Sequence, residues 1–213
     1  MSIRRLLMAQ KKSLESFVDS NGFHLLAPSW MNEGDEMEWC QLISISSTPS
    51  TIENGVTYTN LIDGRWRING TATGTAFPSI SISNIKIEIG QLYTLGGMKG
   101  NTKSEKTRIW FENSAFHVGN RLLDNTICAA STDSIINSYK LYVYNGNTAD
   151  NLLWSPMLFN LTKMCGDNVN TSMTTSAVFK QFGYEDNNSM PYFDPSKNGT
   201  LIAHNGKLYR KKV

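Results

Sequence analysis

Disulfide chemistry has little to work with in this chain. Its three cysteines, Cys40, Cys128 and Cys165, stand far apart and odd in number. No CxxC and no Cys/His ligand spacing occurs, so neither a disulfide framework nor a zinc site is implied. Charge is scarce too: Asp, Glu, Lys and Arg make up 18 % of residues, against about 25 % in an ordinary globular chain. A long-helix protein would carry more Glu, Lys and Ala, so that class is disfavoured. No apolar run approaches the roughly 18 residues of a membrane span, and membrane insertion is not expected. In the opening MSIRRLLMAQKK the apolar run is Leu6, Leu7 and Met8, too short for a secretory signal, which needs about 7–15 residues. The expectation is a chain made and assembled in a reducing cytoplasm. Catalytic signatures are missing as well. His24, His117 and His204 are scattered, and no GxSxG elbow, Walker loop or GxGxxG fingerprint occurs. The expectation is therefore no enzyme, no cofactor and no metal.

What is present points to strands. The 213 residues suffice for one sizeable core, or one core with a small appendage. There are 21 asparagines and 16 glycines, and with many Ser and Thr they suit β-strands joined by tight turns. The formal charge of +2 hides a polarity. Basic residues cluster at the start (Arg4, Arg5, Lys11, Lys12) and the end (Lys207, Arg210, Lys211, Lys212), leaving residues 13–206 at −6. Such a body is a poor polyanion binder, so nucleic acid is not an expected partner.

Three regions are expected: 1–50, a helical anchor arm and linker; 51–157, the main β domain; 158–213, a small C-terminal subdomain. Over residues 3–18, Ile3, Leu7, Leu14 and Phe17 fall at the 4-and-3 spacing of a helical seam. A helix that short is marginal in water and needs a surface to dock on: its own body, a symmetry mate or a larger assembly. Residues 20–50 read as irregular, with Glu33, Asp35, Glu36 and Glu38 in one polar loop and SISSTPST (44–51) as a linker. From Gly55 to Pro156, seven or eight short strands follow without a helical interlude. They include two around Asp63-Gly64 and the alternating Ile80/Ile82 and Ile85/Ile87/Ile89. This predicts an all-β fold, an antiparallel jelly-roll β-sandwich with a short N-terminal helix and a small C-terminal α+β extension. In the last region FNLTKMCGDN reads as strand then turn. A helix capped by Thr174 or Thr175 is expected over 174–184, and a hairpin at Asn205-Gly206.

Four stretches stand in order along the chain, NGVTYTNLIDGRWRINGTATGTAF, GQLYTLGG, KLYVYNGNTADNLLWSPML and FNLTKMCGDNVNTSMTTSAVFKQFG, with the basic opening SIRRLLMAQ ahead of them. In that order they resemble tailed-bacteriophage and prophage virion proteins with a jelly-roll domain similar to carbohydrate-binding modules. Together they cover about residues 1–12 and 55–213. The chain departs from that pattern at Cys165, where Phe is usual, and at Gly166–Asn170, where a GNEP turn is usual. The resemblance implies a virion structural or attachment protein.

Among candidate sites, the aromatic residues are the most informative. Alternation sets Ile109 and Phe111 opposite Arg108, Trp110 and Glu112, and Leu141 and Val143 opposite Lys140, Tyr142 and Tyr144. With the aliphatic faces inward, Trp110, Tyr142 and Tyr144 form an aromatic platform ringed by Arg108, Lys140 and Glu112. Sugars stack on such rings and hydrogen-bond to such neighbours. The competing reading buries that face under a loop or a neighbouring subunit. Trp66 and Trp154 read as core; Trp30 and Trp39 flank the acidic loop.

The leading expectation is a non-enzymatic virion component. Ile3, Arg4, Arg5, Leu7, Leu14 and Phe17 would anchor it to other virion proteins. A homo-oligomer, with a trimer favoured, would multiply weak contacts to host surface carbohydrate. Three rivals stand beside it. They are decoration or assembly without a glycan, a glycan-degrading enzyme with acids from 33–38 facing across an aromatic-lined cleft, and an exported bacterial carbohydrate-binding module.

Overall fold

β-Branched and aromatic residues alternate with Ser, Thr, Asn and Lys through most of this chain, and strand is what they form. In the computed structural model the described residues are 14–19, 21–98, 107–110, 126–186 and 189–211, with backbone alone at 98, 108–110 and 211. Among the described residues strand takes 47 % and helix 11 %, and every sheet pairing is antiparallel. The fold is all-β.

The strands are β1 (Leu14–Ser16), β2 (Glu36–Trp39), β3 (Thr51–Glu53), β4 (Val56–Asn60), β5 (Trp66–Thr71), β6 (Ser79–Ile87), β7 (Leu92–Met98), β8 (Thr107–Trp110), β9 (Cys128–Ala129), β10 (Ser134–Val143), β11 (Thr148–Asn160), β12 (Gly199–His204) and β13 (Lys207–Lys211). A six-stranded sheet runs β3-β4-β5-β11-β7-β9, a three-stranded one β6-β10-β8, and a four-stranded one β1-β13-β12-β2. Two short helices, α1 (Leu161–Cys165) and α2 (Thr175–Gln181), lie between β11 and β12.

The six- and three-stranded sheets turn their apolar faces onto one cluster. Val56, Tyr58, Trp66, Ile68, Leu95, Trp154 and Leu158 come from the first; Ile80, Ile85, Ile87, Ile136, Tyr139, Leu141 and Val143 come from the second. Trp66 and Trp154 are core, as their strand positions require. A second cluster gathers Phe17, Leu25, Trp39, Met157, Phe159, Phe179, Phe182, Phe193 and Leu208. β11 joins the two, because Trp154 and Leu158 enter the first while Met157 and Phe159 enter the second. A strand buried on both faces loses its polar alternation, which explains the apolar run ending in WSPMLF.

Three local expectations are met. The hairpin turns at Asn205 and Gly206, with φ of 50° and 69°. Thr174 caps α2, its side chain accepting from the Ala177 N–H at 3.1 Å. β4 and β5 flank the Asp63-Gly64 turn.

Three others are corrected. The helix expected over 3–18 is strand at Leu14–Ser16, paired as Leu14 with Lys211 and Ser16 with Tyr209. Phe17 is 4 % exposed, with its ring 5.5 Å from Trp39 and 5.8 Å from Phe193. A sheet edge with unmet hydrogen-bond donors and an aromatic slot beside it outweighs the weak propensity of a short helix. Ile3, Arg4, Arg5 and Leu7 lie outside the described residues. Residues 161–165 are helix rather than turn, because the Asn160 side chain accepts from the Lys163 N–H at 3.1 Å and caps them.

Segment 44–51 is no loose linker. The Ser46 hydroxyl donates to Ser81 O at 2.6 Å, the Ser81 N–H donates to Thr48 Oγ1 at 2.9 Å, and Asn60 Nδ2 donates to both Ser46 O and Thr48 O at 2.9 Å. Hydroxyl and amide side chains do there what a strand ladder does elsewhere. Gln41 performs a similar task at the junction of the clusters. Its Nε2 donates to Ile43 O at 3.0 Å and to Phe193 O, while its backbone exchanges hydrogen bonds with the Asn198 side chain.

Burial raises the thiol pKa values, to about 11 for Cys40 and about 12 for Cys165, from an ordinary 9.0. The phenols of Tyr58, Tyr139, Tyr184 and Tyr192 are likewise pushed above their ordinary 10.0, chiefly by burial. Each group holds its proton more tightly when folded. Their stabilising contribution is whole below the unfolded values and is lost as pH climbs through the native ones. The urea midpoint is therefore expected to hold near neutrality and to fall above pH 9, where unfolded thiols and then phenols ionise first. A midpoint flat through that range would contradict the burial. Native thiols are expected to react with a thiol reagent only as fast as the chain opens.

Candidate functional site

β10 carries the aromatic face. Its inward residues Tyr139, Leu141 and Val143 are buried, which leaves Lys140, Tyr142 and Tyr144 half-buried on the other side. The register shift between Ile136 and Ser138 changes which parity faces the core, so Ile136 and Tyr139 both point inward. The rings of Tyr142 and Tyr144 stack 5.7 Å apart at 27°. Phe77 extends the row, 5.3 Å from Tyr142 at 18°, and Lys140 Nζ sits 5.1 Å over the Phe77 ring. Phe77 is brought there by the bridge between Ala76 and Val143, and it stays 38 % exposed.

Lys140, Tyr142 and Tyr144 therefore share a face as expected. In backbone register Trp110 pairs with Lys140 and Arg108 with Tyr142, on edge strand β8. Glu112 lies outside the described residues. Phe77 was not anticipated. It belongs to the strand-forming stretch ending GTAF, and only the pairing of Ala76 with Val143, remote in sequence, sets it beside Tyr142. Three near-parallel rings with an ammonium at one end offer stacking faces together with a hydrogen-bond donor.

The acidic residues are arranged differently from the expected loop. Glu36 and Glu38 sit side by side on the exposed face of β2, Met37 and Trp39 on its buried face. Two residues of strand separate them by about 7 Å. Asp35 accepts from the Asn32 N–H at 2.7 Å, and Glu33 accepts from the Asn205 N–H at 2.9 Å and meets His204. The Asn205 amide, and after it His204, hold the Glu33 carboxyl below its ordinary value. A cleft of about 570 Å³ runs between β2 and α1, lined by Trp30, Glu36, Glu38 and Lys163 among others. Neighbours on one strand are not the opposed carboxylates that the hydrolytic rival requires. Trp39 is wholly buried, and half-buried Trp30 meets Phe182 edge-on at 6.2 Å.

A further cleft, of about 430 Å³, lies where the β4–β5 turn, β11 and the segment around Tyr192 meet. Arg65 donates through Nε to Asp63 Oδ2 at 2.8 Å, and its side chain holds the Asp63 carboxyl below its ordinary value. Among the described residues no group of three His, Cys, Asp or Glu side chains suits a metal ion, and no helix is long and apolar enough to cross a membrane. Compared with protein-family models, curated proteins and solved structures, the chain finds no match in any of the three.

Proposed function

We propose that this chain is a bacteriophage virion structural protein, of tail, fibre or head decoration. It displays a jelly-roll module that attaches to a host cell-surface glycan. The observation that carries the reading is the half-buried aromatic row Phe77–Tyr142–Tyr144 with Lys140 at its end. Two antiparallel sheets facing one apolar cluster support the jelly-roll assignment. The ordered stretches from NGVTYT to FNLTKMCG support the virion assignment. Sugar rings would stack on Tyr142 and Phe77, with Lys140 donating to a hydroxyl or ring oxygen. A single such contact is weak, and a cyclic oligomer, a trimer favoured, would multiply it. The N-terminal arm would join the module to other virion proteins.

The test is saturable binding of the purified protein to intact candidate host bacteria, with Tyr142→Ala compared after its fold and oligomeric state are shown unchanged. Wild-type binding that weakens about tenfold or more in the variant is expected, the scale of losing one anchoring aromatic. Wild-type binding left unchanged by Tyr142→Ala would move the site elsewhere. No wild-type binding to any host would favour decoration or assembly without a glycan.

A further inference from the structure

A hydroxyl left open at a cleft is available as donor and acceptor to whatever enters it. Ser155 is 8 % exposed and lines the cleft beside Asp63 and Arg65, and its Oγ is not among the enclosed side-chain atoms. Its placement follows from a bulge. Between Trp154–Met98 and Met157–Gly96 the β11–β7 register shifts, so Ser155 and Pro156 together oppose Gly97. Pro156 has no N–H for the ladder, and a bulge of this kind re-aims a side chain. Around Ser155 stand Leu153, the Tyr192 ring and Asn21. The Tyr192 hydroxyl donates to Ile43 O at 2.9 Å, and its ring lies so close to Gly64 that a Cβ there would be 2.5 Å away, so the wall is held in place.

We infer that this cleft binds a neutral sugar unit, with the Ser155 hydroxyl, the Asp63–Arg65 pair and the Asn21 amide meeting its hydroxyls and Leu153 and Tyr192 meeting its C–H faces. Among the described residues the charged side chains lining the cleft are Asp63 and Arg65, which pair with each other, so donors and acceptors are offered without net charge. A polyol uses both; an anion would have to compete with Asp63. The volume, about 430 Å³, falls in the small-molecule range of about 300–1,000 Å³. A peptide added as a strand has no opening, because β11 is paired on both sides, to β5 and β7.

This site does not depend on the aromatic row. Leu153 and Ser155 lie on the face of β11 turned away from the first cluster, while Tyr142 lies on the outer face of the three-stranded sheet. The experiment is an amide-resolved NMR titration of the whole chain with neutral hexoses, N-acetylhexosamines and their disaccharides at millimolar concentration, and with glucuronate as the charged arm.

Saturable shifts at Gly64, Arg65, Leu153 and Ser155 with a neutral sugar are expected. Ser155→Ala should weaken them about tenfold, the scale of one lost hydrogen bond, and Tyr142→Ala should leave them unchanged. Ser155→Ala keeps the Cβ and removes no internal hydrogen bond, so its fold should survive; Asn21→Ala, on an exposed turn, is a second variant expected to weaken binding. No shift at these residues with any neutral sugar, or shifts with glucuronate alone, would overturn the inference. Shifts confined to residues 140–144 would overturn it while leaving the aromatic row in place.

Discussion

Gly97→Ala is expected to leave little folded protein. Gly97 has φ of +83°, and a Cβ there would stand 1.7 Å from the Ser155 carbonyl oxygen and 2.6 Å from its carbon. Left-handed backbone alone costs an L-residue about 1–2 kcal/mol. The clash adds far more, because its partner is backbone in a doubly paired strand and cannot rotate away. To accept the methyl group, β7 and β11 must separate at the bulge, between the two apolar clusters. A loss of more than about 4 kcal/mol is the expected scale, a large share of the about 5–15 kcal/mol that holds a domain together. Gly90→Ala is the control: its φ is +79°, but nothing lies within 4 Å of the added Cβ. Urea unfolding and the soluble fraction of both variants separate conformation from close approach. Equal stabilities would refute the account.

Trp39→Ala should cost about 3–5 kcal/mol, the usual range for deleting a large buried aromatic. Its ring is wholly buried and meets Phe17, Phe159, Phe182 and Phe193 at 5.5, 5.9, 5.6 and 5.1 Å. Those rings come from β1's end, β11, α2's end and the segment before β12, so one cavity loosens the packing beside both β1 and β12. Trp39→Phe should cost much less, since the indole Nε1 is buried without a partner among the described residues and no hydrogen bond is lost. Denaturation measures the ratio, and hydrogen exchange in β12 and β13 reports where the loosening spreads. A phenylalanine variant as weak as the alanine one would mean that the indole nitrogen matters after all.

Lys140, Tyr142 and Tyr144 were legible as a face because strand alternation is local: Leu141 and Val143 point in, so their neighbours point out. Thr174 as a cap and Asn205-Gly206 as a turn were legible for the same reason, each acting within a few residues. Phe77 was not, because its place beside Tyr142 depends on a bridge to Val143, remote in sequence. Leu14 and Phe17 misled in the other direction. Their spacing fits a helical seam, yet a short helix gains too little to compete with an open sheet edge.

By itself, then, the order of residues determined an antiparallel β-protein with few charges, its turns, its second short helix, and Trp66 and Trp154 as core. Those properties follow from pattern and turn chemistry, which operate between near neighbours. The tertiary structure alone decided that β1 and β13 share one sheet and that β11 serves two clusters. It alone decided that Ser155 and Pro156 stand together opposite Gly97, with Ser155 in the lining of a cleft. Each depends on which distant strands pair and in which register, and one residue's shift in register exchanges the buried and exposed faces.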